Sequence, residues 1–476
     1  MHRSVSHTGK KKRIWAGLAG KKGLAALAIA LLIGLSAKAQ EQIAEDTATV
    51  HNLKDAFTKG RAEGHVRNFF MATVNQGALS DYYANATGAR LGYSTAPVHG
   101  FRLAFAGMFT YNTFSSGLQI PDSLSGKLPR YELELFDVEH PENKHDLDRL
   151  NELFLEYKSR YFMATAGRFS FHSPLINPQD GRMKPYVVQG LRAVVPVKKS
   201  GALTMAWLSH FSPRSTASWY SAGEAIGVYP VGVSENGSPS GYRSHTETKG
   251  VAVAGAQFTP LKKLQTEVWN YWLHNISNTT YGRGIIELKP GIKIGAEALY
   301  QQQSGNGGNP DPELAYFPDQ QQWLAGGMLA YEPRSWHFSA NYLHIGGGGR
   351  FLFPKEFGRE QFFITLSRGR LEGLGNTDAV TLRTRRNWAS QLSAEIALTK
   401  TWLPGLPNYQ FNKYGAVSYV NTLLDIHYRP ATKALDGLSF RILYIGRYTN
   451  KAKLPLEKMF YNTNFQHVAF VTQLNF

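Results

Sequence analysis

The chain has 476 residues, 46 of them glycine and 13% aromatic, and it contains no cysteine. The lack of cysteine excludes disulfide bonds, cysteine metal sites and thiol nucleophiles. Its formal charge of +17 would by itself be compatible with a nucleic-acid partner. Outside the N-terminal segment, no apolar run approaches the roughly 18 to 20 residues of a membrane-spanning helix, which argues against an inner-membrane helical protein.

The N-terminal segment has the three parts of a secretory signal peptide. Six basic residues within 10–22 precede an apolar stretch at 23–35, and an Ala-Lys-Ala cleavage sequence follows at 37–39. The apolar stretch is too short for a membrane anchor. Cleavage after residue 39 would remove eight basic groups and no acid, which lowers the charge from +17 to +9. We therefore predict an exported protein with no nucleic-acid partner.

Residues 40–63 are polar and predict a periplasmic lead-in to the main domain. Leu53, Ala56 and Phe57 follow a weak helical pattern that stops at Gly60. We interpret the segment as flexible. The main domain is expected to occupy residues 64–476.

The main domain reads as strands of about ten residues, the length that crosses a bilayer when tilted. In 291–303, Ile292, Ile294 and Tyr300 share one face while Glu297 and Gln301 lie on the other. The last twelve residues alternate in the same way, and nothing follows that could cover their edge. In a membrane barrel this final strand would pair with the first and remove the edge. Eighteen strands are predicted in this way, at residues 64–75, 82–95, 101–111, 150–158, 161–168, 186–197, 200–211, 250–259, 263–273, 278–288, 291–303, 321–332, 335–345, 377–386, 390–402, 416–429, 438–449 and 465–476.

The links between these strands favour an outer-membrane barrel over a soluble one. Even-to-odd links include tight turns of two to five residues, whereas odd-to-even links include long loops such as 112–149, 212–249 and 346–376. With the N-terminus in the periplasm, every long loop falls on the outer side, as outer-membrane barrels require. The fold predicted is an all-β, transmembrane, antiparallel up-and-down β-barrel. Sixteen strands remain an alternative, because within 351–388 residues 380–386 alternate poorly and 361–366 could be a strand.

The loop that follows the fifth predicted strand has the composition of a pore constriction. Residues 167–185 contain three prolines, which stiffen the loop, and mix one acid with basic groups. A channel needs such a charged narrowing to set the size and charge of its solutes. The candidate constriction residues are Arg168, Asp180, Arg182 and Lys184.

The same stretch resembles the OprD-type outer-membrane porins. The resemblance is carried by a Gly-Arg strand end, a proline-containing loop, Asp-x-Arg-Met and a following proline within 167–185, and by short pieces such as 358–360, 370–373 and 412–415. It implies eighteen strands, an inward-folded loop, and a row of basic lumen residues that guides carboxylate-bearing solutes. Candidates for this row, each on the more polar face of its strand, are Arg67, Lys293, Arg441 and Arg447. Alternatively, they are solvated residues of a wide lumen wall.

Other functions have little support in the sequence. His172 lies beside Ser170 and Ser173, yet no nucleophile-elbow motif accompanies them. Acids and histidines cluster at 137–146, but such clusters on outer loops are more often simply solvated.

We predict a non-enzymatic porin of the cell outer membrane, with no cofactor and no metal site. Its partners would be small-molecule solutes and outer-membrane lipid; a homo-oligomer is left open. The alternative is a barrel that acts as a surface receptor or adhesin through 112–149 and 212–249.

Overall fold

Strands that pair in chain order are the main secondary structure of the described residues. The computed structural model describes residues 50–179, 181–197, 201–449 and 454–476. The predicted signal peptide, residues 40–49 of the lead-in and Asp180 lie outside the described residues. Residues Val50–Asn475 form one compact unit.

Eighteen of the nineteen strands in the described residues close into a single antiparallel barrel. Each strand pairs with its neighbour along the chain, and the last pairs with the first, where Phe70 lies opposite Phe470. Closure leaves no unpaired edge. The remaining strand, β8, has two residues and pairs with the end of β7. The strands are β1 Arg61–Val74, β2 Tyr82–Ser94, β3 Phe101–Ser115, β4 Arg149–Lys158, β5 Met163–Phe169, β6 Val187–Val197, β7 Gly201–Ser212, β8 Tyr220–Ser221, β9 Val251–Leu261, β10 Leu264–Leu273, β11 Ser277–Lys289, β12 Ile292–Gln303, β13 Gln321–Tyr331, β14 Trp336–Ile345, β15 Thr377–Trp388, β16 Leu392–Trp402, β17 Tyr419–Tyr428, β18 Leu438–Tyr448 and β19 Phe465–Asn475.

The predicted count of eighteen barrel strands is confirmed, and 361–366 belongs to a loop. The lead-in differs from the expectation of a flexible segment. Helix α1, Leu53–Thr58, forms there because the Asn52 side chain caps it by accepting from the Asp55 backbone N–H at 2.9 Å. Strand β1 then starts at Arg61, three residues earlier than predicted.

The other α-helices in the described residues are single turns within loops, α2 Arg130–Leu133 and α3 Ala222–Ala225. Short 3-10 helices occupy Tyr409–Phe411, Lys433–Leu435 and Leu456–Lys458. In the part of the chain that is described, no helix has both the length and the apolar character to cross a bilayer.

The alternation along each strand separates an apolar outer face from a polar lumen. In β12, Ile294 and Tyr300 are 43% and 44% exposed, whereas Glu297 and Gln301 are 3% and 0% exposed. A soluble barrel with an apolar interior would show the inverse pattern. The exposed face is therefore the one that can contact hydrocarbon, as in a transmembrane barrel.

An eighteen-stranded barrel is too wide for wall side chains alone to fill, and long loops fold into it. Loop 346–376 is fastened to the wall by polar side chains of β12. The Gln301 amide donates to the Leu352 carbonyl at 3.0 Å and accepts from the Leu352 N–H at 2.9 Å. Glu297 accepts from the Phe363 N–H at 2.9 Å. On the neighbouring strand, Arg283 donates to the Gln361 carbonyl at 3.2 Å.

We call this part of the barrel, defined by Glu267, Arg283 and Glu297, the carboxylate wall. Arg283 forms an ion pair with Glu267, which also accepts from the Trp269 indole N–H at 2.9 Å. Glu297 in addition accepts from the Tyr281 hydroxyl at 2.8 Å. The charged groups of the carboxylate wall thus have partners within the protein, and Arg283 and Glu297 hold a loop in place.

A buried ion pair connects loops at the end of the barrel from which the long loops extend. The Lys413 ammonium lies 2.8 Å from a Glu372 carboxylate oxygen, and both side chains are 2% exposed. Its ammonium also lies over the Tyr242 and Tyr316 rings, at 4.8 and 5.1 Å. The pair joins two loops, 403–418 and 346–376, and the two tyrosine rings add loops 213–250 and 304–320, so four loops are held together at this end of the barrel.

Candidate functional site

Two inward loops cross inside the barrel. The Asn177 amide of loop 170–186 donates to the Arg359 carbonyl at 2.7 Å, and the Gln361 N–H donates to the Pro174 carbonyl at 3.1 Å. Gly358 lies at the crossing, where a Cβ atom would be 2.7 Å from the Asn177 nitrogen. Only glycine allows the backbones to come this close. Arg359, at this crossing, also lines a small space beside strands β18, β19 and β1.

This space is a cavity of about 60 Å³ that we call the arginine cavity. Lumen side chains of β1, β18 and β19, such as Phe69, Leu443 and Ala469, form one side of it. The other side comes from four loops: 116–148, 170–186, 213–250 and 346–376. Seven arginines line it: Arg130, Arg182, Arg214, Arg359, Arg368, Arg370 and Arg441.

Glu134 is the one carboxylate among the described residues that line the arginine cavity. One of its oxygens accepts from Arg182 at 2.7 Å and from Arg214 at 2.9 Å, and the other lies 3.7 Å from Arg130. Burial alone would raise the pKa of Glu134, but the surrounding guanidinium groups, with Arg214 foremost, outweigh it and lower that pKa. Glu134 is therefore an ionised carboxylate that joins three loops.

The arginines of loop 346–376 have fewer anionic partners. Arg370 lies 3.9 Å from Glu360 and donates to the Tyr186 hydroxyl at 2.8 Å. Arg359 donates to the Leu366 carbonyl, and Arg368 donates to a His467 ring nitrogen at 3.2 Å. Burial lowers the pKa of both Arg359 and Arg368 to about 10, although neighbouring carboxylates oppose the shift.

The predicted constriction residues occupy different places. Arg182 lines the arginine cavity and is fully buried. Arg168 lies at the end of β5, where it donates to Gln189 at 3.0 Å and lies over the Trp219 ring at 4.6 Å. Lys184 is fully buried and donates to the Leu147 carbonyl at 2.9 Å. Burial, followed by the charge of a neighbouring arginine, lowers its pKa to about 7. Asp180 lies outside the described residues.

Of the predicted wall residues, Arg441 lines the arginine cavity, and it pairs with Asp425 through two contacts of 2.8 and 2.6 Å. Arg67 does not line the cavity but positions the backbone of Arg182, because it donates to the Arg182 carbonyl at 2.6 Å and to Gln473 at 2.8 Å. The other two lie elsewhere. Lys293 pairs with Glu332 at 2.6 Å, and Arg447 donates to Asn421 at 2.9 Å with its guanidinium over the Tyr419 ring at 4.4 Å.

Most of the arginine cavity does not follow from the sequence. Arg130, Glu134 and Arg214 belong to loops 112–149 and 212–249, which the sequence predicts only as outer loops. The sequence Arg368-Gly369-Arg370 carried a usable signal, since two closely spaced arginines in a poorly alternating stretch fit an inward loop better than a wall strand. Nothing local in the sequence indicates that these loops meet.

The hydroxyl groups of Ser170 and Ser173, which lie beside His172 in the sequence, form structural hydrogen bonds. Ser170 donates to Glu152 at 3.3 Å, and Ser173 donates to the Ile176 carbonyl at 2.9 Å within its own turn. Ser173 is thus a turn-stabilising residue.

A closed barrel with an apolar outer face and a lumen narrowed by charged inward loops has the architecture of an outer-membrane porin. No protein-family model matches the chain, and neither does any curated protein sequence. Solved structures do match. OpdK of Pseudomonas aeruginosa, determined with vanillate, is 13% identical with a TM-score of 0.66, over 88% of this chain and 99% of that one.

Two further structures match equally well. OccAB4 of Acinetobacter baumannii is 13% identical with a TM-score of 0.67, over 91% of this chain and all (100%) of that one. OccK8 (OprE) of Pseudomonas aeruginosa is 14% identical with a TM-score of 0.67, over 88% of this chain and 98% of that one. The chain therefore has the fold of the OprD-type porins, and the fold implied by the sequence resemblance is confirmed.

Proposed function

We propose that the protein is a porin of the outer membrane through which small polar solutes that bear carboxylate groups diffuse. The observation that supports this is the arginine cavity, a narrowing lined by seven guanidinium groups and one carboxylate inside the barrel. Guanidinium groups present paired donors that match the two oxygens of a carboxylate. Low-dielectric walls strengthen the attraction and raise the local concentration of anions.

The similarity to OpdK is in keeping with this proposal, because that protein was determined with vanillate, which is an aromatic carboxylate. In the proposed channel Arg182 and Arg441 contact the solute, and Arg67 positions the backbone of Arg182. Arg168, Lys184 and Asp180 stay predicted constriction residues, and Lys293 and Arg447 stay predicted wall residues. No step in this function needs a cofactor.

Conductance in planar lipid bilayers tests the proposal. The purified barrel should form channels of defined conductance, and a potassium chloride gradient should give a reversal potential displaced toward that of chloride. Uptake of acetate or an amino acid into liposomes should exceed uptake of an uncharged solute of equal size. Barrels that insert but never conduct, or that favour cations, would contradict the function.

A matched pair of variants identifies the residue that carries the selectivity. Arg182→Gln removes one charge from the arginine cavity, whereas Arg160→Gln removes one charge from the exposed turn between β4 and β5. Only the first should shift the reversal potential toward cations. Equal shifts would mean that net charge, rather than the cavity, sets the preference.

A further inference from the structure

The arginine cavity contains more positive charge than its surroundings neutralise. Among the described residues, seven guanidinium groups line it, and the carboxylates paired with them are Glu134, Glu360 and Asp425. Placing cations in a confined space without anions is unfavourable, because they lose hydration and repel one another. The low pKa values of Arg359 and Arg368 have this origin.

Unused hydrogen-bond donors lie around the same cavity. Buried nitrogens of Arg182, Arg214, Arg359 and Arg368 find no acceptor among the residues that the structure describes. Buried donors almost always have a partner, so four of them around one cavity indicate a site for acceptors. A cavity of about 60 Å³ has room for a few water molecules or for the compact anionic group of a solute.

Glu134 shows how an anion binds in this environment. A single Glu134 oxygen accepts from two guanidinium groups, Arg182 and Arg214, yet each of these arginines still has an unpaired buried nitrogen. The Glu134 carboxylate therefore does not provide enough acceptors for the donors of Arg182 and Arg214. Arg359 and Arg368, from another loop, have no carboxylate oxygen within ion-pair distance in the described part of the chain.

We propose that the arginine cavity is a binding site for compact oxyanions that carry two or more negative charges, such as dicarboxylates or phosphate-type anions. A singly charged solute would neutralise one guanidinium group and leave the others as they are. A second charge on the solute gains a further attraction at each passage through the cavity. The proposal rests on the proposed porin function and narrows its solute class.

Block of the chloride current through the full-length barrel tests this. Succinate is compared with acetate, and sulfate with methanesulfonate, so that each pair differs mainly in charge. The half-blocking concentration of each dianion should be lower than that of its monoanion by about tenfold or more, the effect of roughly 1.4 kcal/mol from the second charge. Strong block by sulfate would mean that charge suffices; strong block by succinate alone would mean that the two charges must be separated.

Variants assign the effect to the cavity. Arg368→Gln should reduce the dianion-to-monoanion ratio severalfold, whereas Arg160→Gln on the exposed turn should leave it unchanged. Glu134→Gln, which keeps an acceptor but removes the competing charge, should raise the ratio. Glu134→Gln provides the test if Arg368→Gln fails to assemble, as judged by heat-modifiable migration on gels.

The outcomes separate this inference from the proposed function. An anion-selective channel that dianions and monoanions block equally would overturn the inference and leave the porin function intact. If the dianion-to-monoanion ratio is unchanged in assembled Arg368→Gln, or unchanged or lower in Glu134→Gln, the dianions do not bind in the arginine cavity. A barrel without conductance would refute the porin function itself.

Discussion

The two sides of the lumen carry charged residues of the same kinds and use them differently. On the carboxylate wall, Glu267 and Arg283 pair with each other, and Glu297 accepts from a loop N–H and a tyrosine hydroxyl. In the arginine cavity, Arg359 and Arg368 face other cations and retain unpaired buried nitrogens. A lumen-facing charged side chain whose hydrogen bonds are all made to protein groups holds a loop in place. One that retains unpaired donors can bind a solute.

The largest effect is expected from breaking the carboxylate wall. Glu297→Ala would leave the Phe363 N–H and the Tyr281 hydroxyl without acceptors, at a cost of roughly 1–3 kcal/mol for each buried donor. The part of loop 346–376 around Phe363 should then separate from β12, while Gln301 still holds Leu352, so that the single-channel conductance rises and trypsin cleaves the loop in detergent-solubilised barrels. Glu297→Gln, which retains an acceptor, is the control. Wild-type conductance and trypsin resistance in Glu297→Ala would show that other contacts hold the loop.

The stability of the protein should depend on pH through Glu132 of helix α2, which binds the barrel wall beside the arginine cavity. The Glu132 carboxylate accepts from the Thr73 hydroxyl at 2.6 Å and from the Tyr461 hydroxyl, and His467 lies 3.8 Å away with Arg368 behind it. Burial raises the pKa of Glu132 from 4.5 to about 7. The folded protein therefore keeps a proton that the unfolded chain loses.

The contribution of Glu132 to stability should consequently be largest below pH 4.5, fall as the pH rises from 4.5 to about 7, and stay constant above that value. The full change in the free energy of unfolding is roughly 3–4 kcal/mol for a shift of this size. Thermal unfolding in detergent as a function of pH measures it. Glu132→Gln should remove this part of the pH dependence; an identical profile in the variant would assign it to other groups.

A smaller effect should distinguish two arginines of β18. Arg441 lines the arginine cavity and pairs with Asp425, so Arg441→Gln removes a cation and also exposes a carboxylate. Arg447→Gln removes a cation that is held by Asn421 and by the Tyr419 ring. Both should shift the reversal potential toward cations, with the permeability ratio changing about twofold more for Arg441. The reverse order, or no shift, would contradict the role given to Arg441.

The smallest effect is expected at Lys293, which is 33% exposed and pairs with Glu332 outside the arginine cavity. Partly exposed pairs of this kind contribute about 0–1 kcal/mol. Lys293→Gln should therefore leave both the unfolding temperature and the reversal potential close to wild type. A selectivity shift as large as that of Arg441→Gln would place Lys293 among the residues that guide solutes.

The candidate site was predictable only in part. Arg182 and Arg441 could be identified because each stands in a recognisable context, a proline-stiffened loop and the polar face of an alternating strand. Lys184 shares the loop of Arg182, yet it is buried against the Leu147 carbonyl. Two residues along an irregular loop can point in different directions, so membership of the loop does not assign a side chain to the lumen.

The sequence by itself determined the strands, the closure of the barrel and the side on which the long loops lie. These follow from period-2 alternation and from link lengths, which are local properties of the chain. Only the tertiary structure decided which charges are neutralised and where the lumen narrows. Arg182 meets Glu134 across 48 residues and Arg67 across 115, and Glu134 meets Arg214 across 80. Contacts between such distant loops depend on how all of them pack in the lumen. A local sequence pattern cannot predict these contacts.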